Sequence, residues 1–378
     1  MNKRVLMVAT VPSMIGQFNM NNINILIDMG YKVDVAADFT DTSVWPLDRV
    51  DRFKEQMSQL DIEYFQLDFS RNPLKIGRHI NSYKETVKLI KNRKYVFIHT
   101  HTPIASAIVR QAAHKTGTKV IYTAHGFHFY DGAPLKNWII FYPIEKYLSK
   151  YTDVLITINK EDFKRASKRF KSKKTIYIPG IGVDTEKFKP DKNSREQIRK
   201  ELELNDNQVV LLSVGELNEN KNHESVIKAI EGMPITYVIV GKGELKEHLH
   251  SLAQAHHVDL RLMGFRSDVA DFYNAADVYI LPSIREGLNV SLMEAMASSL
   301  PCLCGKIRGN VDLVDEGKGG HLFNPSLVDE IKTAIQKMVT YHIEERQKLG
   351  NYNLGKIRSF DVQTVETLFF DIYREMST

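Results

Sequence analysis

Two carboxylates, Glu286 and Glu294, bracket a glycine and an apolar pattern in EGLNVSLMEAMA, residues 286–297. Just upstream, DVYILPS reads as a buried strand ending at Pro282 and Ser283. The pattern predicts strand, turn and then a helix that starts near Asn289 or Ser291. A helix start presents unpaired N–H groups and the positive end of a dipole, which together favour an anion. Glu286 falls in the turn and Glu294 on the helix. Two readings are open at this point: a ligand-holding pair, or carboxylates that are solvated or cap the helix.

Other residues of the same half bear on the choice. In SVGELNENKNHE, Lys221 follows a strand and a turn containing Asn218 and Asn220, and is expected to open a helix. A lysine there can neutralise a phosphate as a point charge, or be an ordinary surface lysine. IVGKGEL places Gly241 and Gly243 after another strand, for close approach of a phosphate or only for a tight turn. Gly-rich turns, Lys221 and a helix N-terminus on one rim describe a diphosphate site.

In the first half, Gly16 of VPSMIGQFN is expected in the loop after the first strand, where a missing Cβ lets a ligand approach the backbone. His99 and His101 in IHTHTP, and His125 and His128 in YTAHGFHFY, end two later strands. They are structural, or they face a ligand. Zinc lacks a completing cysteine or acid pair, and no Asp-x-Asp triplet occurs for a metal–diphosphate complex.

These residues need strand ends to carry them. RVLMVAT, YKVDVAA, IEYFQLDF, YVFIHTH, KVIYTAH, DVLITIN and TIYIPG are strand candidates separated by helical patterns. A turn around Gly16 and one helix running through Met29 follow the first. VDTEKFKPDKNSREQ breaks the series as a linker leading into a new helix. VVLLSVG, ITYVIVG, LRLMG, VYILPS, PCLCG and GHLF then repeat the pattern. Alternating strands and helices imply parallel, doubly wound sheets that bind ligands at the carboxyl ends of their strands. The expected division is 1–183 and 184–358, with a C-terminal helix over 359–378 packing back on the first domain.

A chain of 378 residues suits two domains, and 43% hydrophobic with 26% charged residues is a globular composition. No apolar run reaches the roughly 20 residues that span a bilayer. MNKRVLMVATVPS leads into a strand rather than a cleavage site, so no signal peptide is expected. Cys302 and Cys304 are the two cysteines, which fits a reducing cytoplasm. The net charge of +5 is uneven. Residues 1–190 hold 30 Lys and Arg against 18 Asp and Glu, a net of +12, and residues 191–378 hold 21 against 28, a net of −7. RNPLKIGRHINSYKETVKLIKNRK carries eight basic residues and one acid, Glu85. Such a half meets a polyanion or an anionic membrane, or its lysines only keep the chain soluble. GAPLKNWIIFYPIEKYLSKY mixes Trp138, Phe141, Tyr142 and Tyr147 with Lys136, Lys146 and Lys150, either for a membrane interface or as a helix whose aromatics fill the core.

Taken together, ILPSIREGLNVSLMEAMA, SVGELNENKN, IVGKGEL, GFRSDV and the tail SFDVQTVETLFFDIYREM resemble the family 4 glycosyltransferases, in the family's order and over nearly the whole chain. The resemblance implies the α/β GT-B fold, two Rossmann-like domains facing an interdomain cleft, with acceptor binding in the first and nucleotide-sugar binding in the second. It implies that Glu286 contacts the donor sugar and Glu294 the ribose hydroxyls. The N–H groups of Leu288, Asn289 and Val290 after Gly287 would face the diphosphate. Lys221 matches the phosphate-binding lysine, His125 the histidine that faces the donor sugar and Gly16 the glycine loop, while Gly241 joins the diphosphate site by its turn as read above. Glu216 stands where the family usually has arginine, with Arg266, Arg285 or Arg308 as compensating cations. Asn289 stands where the family often has proline.

Members of this kind retain anomeric configuration without a metal. The subgroup with YTAHGFHFY resembles enzymes of capsular or exopolysaccharide synthesis. The expected function is transfer of a hexose or N-acetylhexosamine from a UDP-sugar to an undecaprenyl-diphosphate-linked saccharide. The expected place is the cytoplasm, peripherally on the inner face of the membrane, with an anionic lipid surface and no nucleic acid as partner. A UDP-N-acetylglucosamine 2-epimerase-like enzyme of the same fold and a non-enzymatic nucleotide-sugar-binding scaffold are the alternatives.

Overall fold

The computed structural model describes residues 3–72, 74–205 and 207–377. Met1, Asn2, Pro73, Asp206 and Thr378, which fall within stretches read above, lie outside the described residues.

Two units share the chain: Met1–Ile181 with Gln363–Thr378, and Gly182–Val362. In the first, the elements are β1 (Arg4–Val8), α1 (Pro12–Phe18), α2 (Met20–Asp28), β2 (Lys32–Ala37), α3 (Leu47–Gln59), β3 (Glu63–Gln66), α4 (Ile76–Arg93), β4 (Phe97–Thr100), α5 (Pro103–Thr116), β5 (Lys119–Ala124), α6 (Leu135–Ser149), β6 (Val154–Thr157), α7 (Lys160–Arg169) and β7 (Lys174–Tyr177). All seven strands are parallel, in the order β3-β2-β1-β4-β5-β6-β7. Val5 and Met7 of β1 pack into one core, Leu6 and Val8 into another. A strand buried on both faces needs a continuous apolar run, and RVLMV supplies it.

The second unit holds α8 (Lys192–Glu201), β8 (Val209–Val214), α9 (His223–Ala229), β9 (Ile235–Val240), α10 (Lys246–Ala255), β10 (Asp259–Gly264), α11 (Val269–Ala275), β11 (Val278–Leu281), α12 (Val290–Ala297), β12 (Cys302–Gly305), α13 (Asn310–Leu313), β13 (Gly320–Phe323), α14 (Val328–Thr340) and α15 (Ile343–Ile357). Its parallel order is β10-β9-β8-β11-β12-β13. Cys302 and Cys304 are free thiols in its core. The segments that begin and end this unit lie side by side, with Val183 N–H donating to Phe360 O and Val362 N–H to Val183 O, both at 3.0 Å.

The last helix, α16 (Val362–Met376), packs Val365, Phe369, Ile372, Tyr373 and Met376 into the core under β1, β2 and β4. The single helix expected through Met29 is two helices. Asn19 is buried at the junction, where its side-chain amide donates to Met14 O at 2.9 Å and its carbonyl oxygen receives Asn22 at 3.0 Å. A buried Asn that bonds local backbone competes with helix continuation, and the chain bends there.

Candidate functional site

In the second sheet the strand order reverses between β8 and β11, and ligands of such sheets bind at that point. The two loops that leave these strands are laced together. Ile284 N–H donates to Asn220 O at 2.9 Å, and Asn220 Nδ2 to Arg285 O at 3.0 Å. Asn222, in the left-handed region at φ 56, bonds Pro282 O and Pro325 O. Between the loops Lys221 Nζ donates to Glu286 Oε1 at 2.8 Å, with the side chains 16% and 14% exposed. Lys221 closes the 3-10 turn Glu219–Lys221 rather than opening a helix, which begins only at His223.

Asn289 caps α12: its side-chain oxygen accepts from Leu292 N–H at 3.0 Å and from Ser291 Oγ at 2.7 Å. Tyr279 OH reaches Ser291 Oγ at 2.7 Å. The cap leaves the first N–H groups of the helix for another partner. One turn on, Glu294 Oε2 accepts from Tyr273 OH at 2.8 Å. Burial pushes the Glu294 carboxyl up, against the opposing effects of Tyr273 and of Lys187.

The glycines mark where loops touch. A Cβ on Gly309, at φ +85, would stand 1.5 Å from Gly287 O, so the loop after β12 lies directly on the Gly287 turn. A Cβ on Gly241 would stand 1.7 Å from Gly215 O, and one on Gly243 2.3 Å from Leu217 O. The glycine pair after β9 therefore admits the backbone of the β8 loop. Gly215 in turn lies under the Lys221 side chain, with a would-be Cβ 3.1 Å from its Cε.

Glu216 is exposed and accepts from Asn218 Nδ2 at 2.9 Å. Of the three candidate compensating cations, Arg266 is committed elsewhere. It pairs with Glu201 at 2.9 Å and Asp268 at 2.6 Å, and those hydrogen bonds raise its pKa further. Arg285 is exposed in the β11 loop. Arg308 is half-buried and immediately precedes Gly309, which brings it next to the Gly287 turn.

In the first sheet the order reverses between β1 and β4. Thr10 N–H donates to Thr102 Oγ1 at 2.7 Å across this point, and the two hydroxyls stand 2.6 Å apart. A groove of about 360 Å³ opens there, lined by Thr10, Val11, Ser13, Phe18, Val44, Arg71, Ile104, His128 and Phe141 among others. Gly16 is not in a loop. It lies inside α1, where a Cβ would stand 2.4 Å from the Trp45 ring and 3.1 Å from Phe53. Its small size serves that packing.

Three of the four histidines form a row. His99 bonds Tyr373 OH through Nδ1 at 2.9 Å and Thr123 Oγ1 through Nε2 at 2.8 Å. His99 and His101 ring centroids are 4.1 Å apart. His101 Nδ1 lies 3.3 Å from His125 Nε2. Burial pushes His125 down to about 4 and His99 to about 3, with His125 adding to the effect on His99, and it holds His101 well below the usual imidazole range. All three rings are neutral at pH 7. His128 stands apart and stacks on Phe141, with centroids 4.6 Å apart. Among the described residues no group of three or more His, Cys, Asp or Glu is placed to hold a metal ion.

α6 is apolar on both sides. Trp138, Phe141 and Tyr142 pack inward, while Leu135, Ile139, Ile140, Ile144 and Tyr147 are exposed, Leu135 by 73% and Ile139 by 66%. The core reading holds for Trp138, Phe141 and Tyr142, and the opposite face is apolar and exposed. α5 packs against both α4 and α6, and Leu74, Ile76 and Ile80 at the start of α4 are also exposed. No helix among the described residues is long and apolar enough to cross a membrane.

Sequence reasoning missed Tyr273, which holds Glu294, and the paired hydroxyls Thr10 and Thr102. Tyr273 carried no local signal, because a buried tyrosine in an apolar helix looks like core. A threonine two residues beyond β1 and another just before Pro103 at the start of α5 were legible as strand-end polar groups.

Comparison with known proteins places the chain in a family. Residues 19–187 match the family described as Glycosyltransferase Family 4, and residues 194–355 that described as Glycosyl transferases group 1. EpsD of Bacillus subtilis (strain 168), named as a glycosyltransferase, is 34% identical over 394 residues, covering 100% of this chain and 99% of that protein. An Escherichia coli protein named UDP-Gal:alpha-D-GlcNAc-diphosphoundecaprenol alpha-1,3-galactosyltransferase is 31% identical over 291 residues, 73% of this chain and 74% of its own. The crystal structure of Anabaena HepE in complex with UDP superposes with a TM-score of 0.80 at 17% identity, covering 98% of this chain and 100% of that one.

Proposed function

This chain belongs to the family 4 glycosyltransferases of the GT-B fold, related to those of capsule and exopolysaccharide synthesis, and we propose that it moves a hexose or N-acetylhexosamine from a UDP-sugar to a saccharide carried on a lipid diphosphate. The observation that carries this reading is the Lys221–Glu286 pair at the β8/β11 reversal, beside the capped start of α12.

In this reading Lys221 and the N–H groups of Leu288, Asn289 and Val290 take the diphosphate, with Arg308 as the further cation in place of Glu216. Charge grows on the phosphate oxygen as the sugar leaves, and donors already aimed at it lower the barrier. Lys221 transfers from Glu286 to phosphate, which frees Glu286 for the sugar hydroxyls. Glu294 holds the ribose. His125, kept neutral, exchanges a hydrogen bond with the donor sugar. The bond from the anomeric carbon to phosphate breaks, the bond to the acceptor oxygen forms on the same face, and the acceptor proton passes to the departing phosphate oxygen. The configuration is retained, and no metal takes part.

A lipid-diphosphate acceptor is supported by three features. The groove at the β1/β4 reversal is mainly apolar and has Arg71 in its lining. The exposed apolar faces of α4 and α6 carry Lys75, Lys84, Lys136, Lys146 and Lys150. The Escherichia coli relative is named for a GlcNAc-diphosphoundecaprenol acceptor. In this reading these faces rest on an anionic bilayer at the cytoplasmic side, and the groove receives the acceptor there.

The test is direct. The protein is incubated with UDP-galactose, UDP-glucose or UDP-N-acetylglucosamine and a prenyl-diphosphate-linked N-acetylglucosamine, with and without EDTA. Expected is an α-linked disaccharide from one donor, at a rate EDTA does not change. Epimerised nucleotide sugar, or transfer to water alone with every donor, would overturn the reading.

A further inference from the structure

The histidine row of the first unit contains two rings that this mechanism leaves unused, and one of them meets His125 directly. His101, just after β4, is 1% exposed. Its Nδ1 lies 3.3 Å from His125 Nε2, and its own Nε2 is buried with no hydrogen-bond partner among the described residues. One face of the ring lies against His99. His99 is fixed at both nitrogens, by Tyr373 of α16 and Thr123 of β5. His101 therefore meets His125 from a supported position.

The proton count decides what passes between them. Both rings are neutral, so each carries one N–H. If His125 donated from Nε2, the proton of His101 would sit on its Nε2, a buried N–H with nothing to receive it. If His101 donates from Nδ1, its Nε2 is only an unfilled lone pair. A stranded buried donor is rarer than an underused acceptor. The second arrangement wins.

We propose that His101 donates its Nδ1–H to Nε2 of His125 and so fixes the proton of His125 on Nδ1, which makes His101 a positioning residue for glycosyl transfer. The catalytic half of this statement rests on the reading that His125 meets the donor sugar. His125 then presents an N–H donor rather than a lone pair, and suits a sugar hydroxyl that accepts a hydrogen bond. Nitrogen Nδ1 is the one that an orienting partner leaves available.

The tautomers are read from nitrogen-15 shifts of the ring nitrogens in histidine-labelled protein, without substrate. Expected in the wild type is protonated Nδ1 on His125, and in His101→Leu a shift of His125 towards protonated Nε2. His101→Asn, whose amide replaces the Nδ1 donor, restores the wild-type pattern. Turnover is followed as UDP release from whichever of UDP-glucose, UDP-galactose and UDP-N-acetylglucosamine reacts fastest. His101→Leu should lower kcat about 10- to 100-fold, the range for removing the partner that orients a metal-bound imidazole, with KM little changed. His101→Asn should recover most of it. A wild-type His125 protonated on Nε2 overturns the proposal, as does an unchanged His125 tautomer in His101→Leu. If His125→Ala keeps full turnover, the catalytic reading of His125 fails while the tautomer result still decides the pairing. Should His101→Leu not fold, the wild-type shifts and the Asn variant decide alone.

Discussion

Lys221 Nζ and Glu286 Oε1 stand 2.8 Å apart, so the residues proposed for phosphate and for sugar are each other's counter-ion. Removing one strands the other in a largely enclosed place. Lys221→Ala should weaken UDP binding about 10- to 100-fold, the worth of a charge-assisted hydrogen bond of roughly 1.5–3 kcal/mol, and leave uridine binding unchanged. It should also lower the melting temperature, and adding Glu286→Gln should recover stability without recovering affinity. Calorimetry with UDP and uridine checks both parts. Equal losses for the two ligands would place Lys221 outside the phosphate site.

Glu294→Gln separates binding from stability. Burial raises the folded-state pKa of Glu294 above its ordinary value, so the folded chain holds this proton more tightly than the unfolded chain. The favourable contribution is present below the unfolded pKa and is lost as pH rises through the folded one. At neutral pH the ionised carboxylate weighs against the fold, and a neutral amide that still accepts from Tyr273 does not. The variant should melt at or above the wild-type temperature at pH 7 and bind UDP more weakly. A stabilised variant with intact UDP affinity would remove Glu294 from the ribose role.

Two glycine substitutions should fail in different ways. In Gly16→Ala the new methyl meets the Trp45 ring, backed by Phe53, and overpacking of this kind costs about 1–3 kcal/mol. UDP affinity should not change. In Gly309→Ala the methyl meets the backbone oxygen of Gly287, at a φ of +85 that strains any other residue. The loop must move, so UDP affinity and melting temperature should fall together. Loss of UDP binding in Gly16→Ala without loss of stability would restore a ligand role to that glycine.

Sedimentation with liposomes tests the apolar faces of α4 and α6. Binding to vesicles rich in anionic lipid should be measurable at low salt and weaken as salt rises, because each Lys or Arg near the surface contributes about 1 kcal/mol within a Debye length. Vesicles of neutral lipid should bind far less. Ile139→Asp with Ile140→Asp should reduce binding and leave UDP affinity intact. Binding indifferent to both salt and these substitutions would give the exposed isoleucines another role.

Both sheets were legible in the sequence, because a strand buried on both sides must be a short apolar run, as RVLMV and ITYVIV are. The start of α12 was legible from Asn289, a residue whose side chain reaches its own helix. Contacts between segments distant in sequence were not. Nothing near Arg266 announces that Glu201 will meet it, and nothing near Gly16 announces Trp45. Gly241 was found for a sound reason, since no other residue fits, yet what crowds it is the carbonyl of Gly215. Lys221 follows a turn that contains Asn218 and Asn220 and so looks like a helix start, but the turn that Asn218 caps runs only three residues.

The return of α16 has a consequence for how the enzyme is made. Tyr373 of α16 holds His99 and lies in the core of the unit that begins at the first strand. During synthesis the ribosome delivers the whole of Gly182–Val362 before this tyrosine emerges. At roughly 5–20 residues per second, the first unit waits on the order of ten seconds or more for its last helix. A nascent chain in that interval could fold its second unit, but its histidine row would lack its outer support. A chain that stopped before Tyr373 would leave that gap permanent, so loss of α16 should read out as lost chemistry in the half translated first.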